Sequence, residues 1–292
     1  MQLPDGGEFY LSAAVERQRE TDRWSTTSMV PPHCDWQCKR RYAVFLSHYK
    51  AETASLARYL HDLLRKMLRE PIYLDSSTLT DLRSLFEDGV DRSEVVVLIC
   101  SAGVLTRPWC LLELLEASRR RVPVVPLLIE APEAWNPAAM RRLAANLEGE
   151  LPALNPQALP MLHEHCGNDL SELQSVLTAV IDAADASTAV RWNPGAGDNE
   201  IIAQLKELCE RMAAPLGREI VWSDAAAGTA SSSGRSGRAR PLALISCHHA
   251  EALAHARVLM ATVSERARRP VHIALYLHAA IFQSSGSPRT LC

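Results

Sequence analysis

The chain has 292 residues, enough for one good-sized domain and part of a second, and 47% of them are hydrophobic, as a packed core requires. A formal net charge of −3 and an aromatic content of 5% argue against a nucleic-acid partner held by bulk electrostatics or base stacking. No apolar run approaches the roughly 20 residues that cross a bilayer, and Met1–Glu20 lacks the apolar centre of a secretory signal, so a cytoplasmic location is the expectation.

Residues 1–40 show no clean hydrophobic period and contain Ser25-Thr26-Thr27 and Pro31-Pro32; they are predicted to form a poorly ordered N-terminal extension. Within it, His33-Cys34 and Cys38 have the wrong spacing for a Cys-x2-Cys knuckle and no second pair follows, so they read as surface residues rather than zinc ligands. The eight cysteines are scattered, and Cys100 and Cys110 sit in or beside apolar stretches, a pattern of reduced, buried thiols rather than of a disulfide framework.

From Arg41 the texture changes. Tyr42–Leu46 is a short apolar run, typical of a strand buried on both faces. Leu56, Tyr59, Leu60, Leu63, Leu64, Met67 and Leu68 recur at steps of three and four, which places them on one helical face, and Pro71 stops that helix. Ile72–Leu74 is a second strand. Asp75-Ser76-Ser77-Thr78 is a turn rich in capping residues, leading into a second helix with Leu79, Leu82, Leu85, Phe86 and Val90 on its apolar side.

Val95–Cys100 is the clearest buried strand, and Trp109–Arg119 a third helix, with Pro108 suited to its first turn and arginines at its C-terminal end. Val122–Ile129 is a fourth strand, expected toward the sheet edge because Pro123 and Pro126 lack ladder donors. Beyond Glu130, Ala138–Leu147 and Leu170–Ala184 read as helices, Val190–Trp192 as a last strand, and Asp198–Met212 as a helix capped by Asp198. Strands alternating with helices predict a parallel sheet covered on both faces.

Ala225–Arg240, rich in Ala, Gly, Ser and Arg, has the composition of a flexible linker. After it the chain repeats itself. Ala243–Ile273 aligns without gaps on Val44–Leu74, with identities at Ser47/Ser246, Ala51/Ala250, Glu52/Glu251, Ala57/Ala256, Arg58/Arg257, Leu60/Leu259, Arg69/Arg268 and Pro71/Pro270. The second copy, 241–292, lacks counterparts of the second helix, the third strand and Trp109–Glu113. It reads as a truncated strand–helix repeat that must pack elsewhere, or as the start of a longer tandem protein.

Val44-Phe-Leu-Ser-His-Tyr-Lys-Ala-Glu52 resembles the opening box of TIR (Toll/interleukin receptor) domains, a strand ending in serine followed by an acidic helix start. Tyr73-Leu-Asp75 looks like that family's second strand and its acidic end. Val95–Ser101, followed by Trp109-Cys-Leu-Leu-Glu-Leu114, resembles the third strand and the Trp-Cys-Leu-x-Glu-Leu box, the most specific of the matches. The resemblance implies a TIR domain over 41–217 with a flavodoxin-like, doubly wound parallel sheet of about five strands. It also implies a role in intracellular signal transduction and innate immunity through self-association and binding to other TIR proteins.

Some TIR domains cleave NAD to nicotinamide and ADP-ribose or a cyclic form. In those, the glutamate of the Trp-x-x-x-Glu box is catalytic, and by resemblance it falls here on Glu113. NAD is then a substrate, and no cofactor or metal is expected. His163-Glu164-His165-Cys166 lacks the helical pairing of a metal site, and no catalytic serine triad, phosphate-cradling glycine loop or kinase box is present. Ligands of open parallel sheets bind beyond the carboxyl ends of the strands. That rule, with the resemblance, places Ser47, His48, Tyr49, Asp75, Ser101 and Trp109 around the NAD site.

The bland readings are a packing role for Trp109 and a dipole-matched surface role for Glu113. The competing function is a non-enzymatic adaptor acting through TIR–TIR association. One departure from the family is the Ser76–Leu82 segment, which is short and lacks Gly and Pro where many members have a longer loop with Gly and a following apolar residue, and this puts substrate gating and assembly mode in question.

Overall fold

The computed structural model describes residues 31–74, 85–130, 135–223, 243–247, 258–259 and 273–277. Its centre is a five-stranded, wholly parallel sheet in the order β3-β2-β4-β5-β6, made of β2 (Tyr42–Ser47), β3 (Ile72–Leu74), β4 (Ser93–Cys100), β5 (Val124–Ile129) and β6 (Val190–Trp192). All eight residues of β4 are buried, as a strand packed on both faces requires.

Helices cover both faces. α1 (Lys50–Leu68) and α7 (Asp198–Ala213) lie on one, burying Leu56, Leu60, Leu64, Met67, Ile201, Leu205 and Leu208 against Val44, Leu46, Val95, Val97 and Ile99. On the other, α2 (Pro108–Arg119) joins α3 (Pro137–Ala145), α4 (Leu147–Leu154), α5 (Ala158–Cys166) and α6 (Ser171–Asp185) around Leu98, Cys100, Leu111, Leu115 and Leu128. Alternate residues of β4 divide between these two cores because successive side chains of a strand point to opposite faces.

The predicted face of α1 is buried in full. Its end is set before Pro71, by Arg69, which adopts the left-handed conformation (φ 57) and returns its N–H to the Arg65 carbonyl. Of the helix predicted over Leu79–Val90, the described part, Leu85–Val90, is a π-helical turn. Asp75 and Ser76–Leu82 lie outside the described residues, as does the predicted linker Ala225–Arg240.

Four expectations are corrected. β5 is an interior strand, flanked by β4 and β6. Pro126 is tolerated because β6 starts only opposite Leu127, and Pro123 precedes the strand. The helix predicted over Ala138–Leu147 breaks at Asn146, whose side chain accepts the Gly149 N–H and caps α4. Asp198 does not cap α7; Gly197 holds that position, and Asp198 sits in the first turn.

The fourth correction concerns the N-terminal boundary. β1 (His33–Cys34) pairs antiparallel with β7 (Trp222–Ser223), and Cys34 and Trp36 are buried rather than superficial. Glu94, 5% exposed at the start of β4, accepts hydrogen bonds from Trp36 Nε1 (2.7 Å), the Lys39 N–H (2.8 Å) and both terminal nitrogens of Arg218 (2.7 Å each). The folded unit thus begins before Arg41 and continues past Gly217, because one carboxylate gathers both flanks.

β8 (Ala243–Cys247) and β9 (Ile273–Leu277) form a separate parallel pair with Ala243 opposite Ile273, where β2 and β3 place Val44 opposite Ile72. Val258 packs against the α1–α7 core.

Candidate functional site at the carboxyl ends of β2 and β4

β2 and β4 are adjacent, yet the helices that follow them leave on opposite faces, α1 toward one core and α2 toward the other. Such a switch point opens a crevice at the carboxyl ends of the two strands. Ser47 closes β2 and stands opposite Leu98 of β4; Ser101 lies three residues further on.

Ser47 is on the face of β2 that looks toward α2, where it meets the helix carboxylate. Its Oγ donates to Glu113 Oε2 at 2.6 Å, and both residues are buried, Glu113 to 7% exposure. The length of this bond falls in the range of hydroxyl-to-carboxyl hydrogen bonds. Beside it the Cys110 thiol donates to the His48 carbonyl at 3.5 Å. Burial, and after it the negative charge of Glu113, push the Cys110 thiol well above its ordinary range, so it is not a thiolate nucleophile.

The rim is built by Tyr49 and Arg107. The guanidinium of Arg107, the residue before α2, lies 4.7 Å from the centre of the Tyr49 ring. From the first turn of α1, Glu52 Oε2 accepts the Gly103 N–H at 3.0 Å. The Ser101 hydroxyl is buried and has no hydrogen-bond partner among the described residues, an arrangement that costs free energy unless a ligand or water engages it.

Of the residues expected at the site, Ser47, His48, Tyr49, Ser101 and Glu113 gather at this end of the sheet. Trp109 is partly buried and packs toward Phe45, Val96, Ala117 and Val122, where it serves as an anchor for α2. Asp75 lies outside the described residues. Sequence reasoning missed Glu52, Gly103, Arg107 and Cys110 as parts of the site. For Glu52 a signal existed, since the repeat retains both Ser47 and Glu52, as Ser246 and Glu251, at the same spacing.

No group of three or more potential metal ligands occurs among the described residues, and no helix among them is long and apolar enough to cross a membrane. A comparison with curated proteins gives no match. Among solved structures, the chain is similar to the TIR domains of the activated Roq1 resistosome directly recognizing the pathogen effector XopQ. That likeness has 18% identity, covers 57% of this chain and 99% of the other, and has a TM-score of 0.41. The family model described as TIR domain matches residues 44–159, which include the β2–α1 box, the Trp109–Leu114 box and the helices as far as the start of α5. Residues 44–159 carry a TIR domain.

Proposed function

We propose that this TIR domain acts in intracellular signalling by cleaving NAD, with Glu113 as its catalytic carboxylate. The observation that supports the reading is the Ser47–Glu113 hydrogen bond: a buried carboxylate, turned toward the carboxyl end of β2 and held there by a donor. In the reaction the bond between nicotinamide nitrogen and ribose C1′ breaks, and its electron pair neutralises the pyridinium. Water adds to C1′ and releases a proton, giving ADP-ribose and nicotinamide.

Nicotinamide leaves as a neutral molecule, so no acid is needed to protonate it. The catalytic demand is stabilisation of positive charge on the ribose, as in glycoside hydrolysis, and one preorganised carboxylate meets it. Ser101, His48 and Tyr49 line the same crevice and serve as binding groups, with Asp75 assigned there by resemblance. NAD is a substrate here, so the reaction needs no further cofactor. The protein self-associates through TIR surfaces and binds other TIR proteins in the cytoplasm, and β8–β9 repeats the parallel pairing of β2 with β3.

Glu113→Ala in the purified full chain, assayed for NAD loss at high protein concentration, is expected to lower turnover at least about a hundredfold. Unchanged turnover overturns the assignment. The adaptor reading is favoured by one observation, the near-complete burial of Glu113. It predicts no NAD loss at any concentration, together with concentration-dependent oligomers in light scattering.

A further inference from the structure

Glu52 reaches the crevice from the face opposite Glu113. α1 opens irregularly there: Thr53 has φ −138 and ψ 22, and the N–H groups of Glu52 and Thr53 both donate to the Tyr49 carbonyl, at 3.0 and 2.9 Å. From this first turn the Glu52 carboxylate reaches the β4–α2 connection and takes the Gly103 N–H. A side chain at Gly103 would have to push the Glu52 carboxylate aside. A Cβ would stand 2.6 Å from Glu52 Oε1 and 3.3 Å from the Tyr49 ring.

From Gly103 to α2 the path is short and pinned. Thr106 Oγ1 donates to the Gly103 carbonyl at 2.7 Å, Asn155 Nδ2 to the Thr106 carbonyl at 2.9 Å, and Arg107 covers Tyr49. A shift at Gly103 therefore passes to the start of α2, and Glu113 is in the second turn of that helix.

We propose that Glu52 is a positioning residue for Glu113: by holding the Gly103 N–H it fixes the β4–α2 connection against α1 and so sets where the Glu113 carboxylate stands relative to Ser47. The inference rests on the NAD-cleavage reading for its kinetic consequence, and on geometry alone for the placement of Glu113. Displacing a reacting group by about 1 Å costs on the order of a hundredfold in rate, so a pin of this kind has a large lever.

The test compares the full-length chain with Glu52→Ala, Glu52→Gln, Gly103→Ala and the Glu52→Ala/Gly103→Ala double variant. Glutamine keeps an oxygen acceptor, and the added methyl at Gly103 displaces the carboxylate while Glu52 itself stays in the sequence. Two readouts need no substrate: hydrogen exchange at the Gly103 amide and the carboxyl 13C resonance of Glu113. Glu52→Ala and Gly103→Ala are expected to move the Glu113 resonance. Glu52→Ala speeds Gly103 exchange by about tenfold, the scale of one hydrogen bond to a charged acceptor, while Glu52→Gln leaves both readouts near the parent.

In NAD turnover, each alanine variant lowers kcat by about tenfold or more with little change in KM. The double variant is no slower than the slower single, because both remove the same contact. Multiplying losses in the double, or a Glu113 resonance indifferent to both alanine variants, overturns the proposal. If Glu52→Ala does not fold, Gly103→Ala carries the same expectation. If the parent chain cleaves no NAD, the catalytic reading falls and the Glu113 resonance still decides the placement.

Discussion

Arg218 reaches across 124 positions of sequence to set both terminal nitrogens on the carboxylate of Glu94, at 2.7 Å each, while its guanidinium also lies 5.4 Å from the Trp36 ring centre. The pair is nearly dry, with side-chain exposures of 17% and 4%. Its remaining acceptor capacity is taken by Trp36 Nε1 and the Lys39 N–H.

Removing one partner strands the other. Glu94→Ala or Arg218→Ala is expected to destabilise the fold by about 3–5 kcal/mol, measured as the shift in urea midpoint at constant slope. The double variant is expected to cost much less than the sum of the two singles, because the residual charge disappears with its partner. Additive costs would show that the two residues act independently.

The acid limb of stability follows from the same site. Burial alone would raise the Glu94 carboxyl, but the bonds from Arg218, the Lys39 N–H and Trp36 prevail and hold it below the ordinary glutamate value of 4.5. A depressed carboxyl contributes stability that is fully present above that value and is lost as pH falls through the lower native one. Stability below about pH 4.5 is therefore expected to fall more steeply in the parent than in Glu94→Gln, as read from denaturant midpoints across pH 2–6.

The boundary has its own check. A chain beginning at Arg41 keeps the whole matched TIR segment but loses Cys34, Trp36 and the Lys39 N–H. It is expected to melt several degrees below one beginning at residue 31, since burying a large aromatic side chain contributes about 3 kcal/mol. Equal melting temperatures would return residues 31–40 to the status of an appendage.

Thiol chemistry reports on the core. Cys100, Cys110 and Cys209 are fully enclosed, and burial raises all three thiols. Peptide mapping after brief treatment with a water-soluble thiol reagent at pH 8 is expected to find them unmodified in the native state and modified in denaturant. Among the described thiols, Cys38 and Cys166 are only half-buried, and although burial raises both, they are expected to react before the three enclosed ones. Rapid labelling of Cys110 in native protein would mean that the crevice wall opens.

What the sequence conveyed depended on how local its cause was. The face of α1, the two-sided burial of β4 and the first turn of α2 follow from residues a few positions apart, and each is found where periodicity put it. Trp36 gave no such sign, because what orders it is Glu94, 58 positions away. Pro126 suggests a sheet edge by sequence alone, but a missing N–H says only that no ladder bond is required there. The late start of β6 satisfies that condition inside the sheet.

The site divides in the same manner. Glu113 and Ser47 stood out through their boxes, and the fold joins them. Glu52 belongs to the same box as Ser47 and recurs in the repeat, but its partner does not show in the sequence, being a backbone N–H 51 positions away that no side-chain pattern announces.

The pairing of β1 with β7 and the hub at Glu94 place both described flanks of the TIR fold at the amino end of the sheet, the pole opposite Ser47 and Glu113. Tags, surface tethers or fused partners attached to either flank therefore emerge behind the mouth of the crevice. A partner fused at residue 31 or 223 thus starts from the amino pole of the sheet, the full length of the strands away from the Ser47–Glu113 pair.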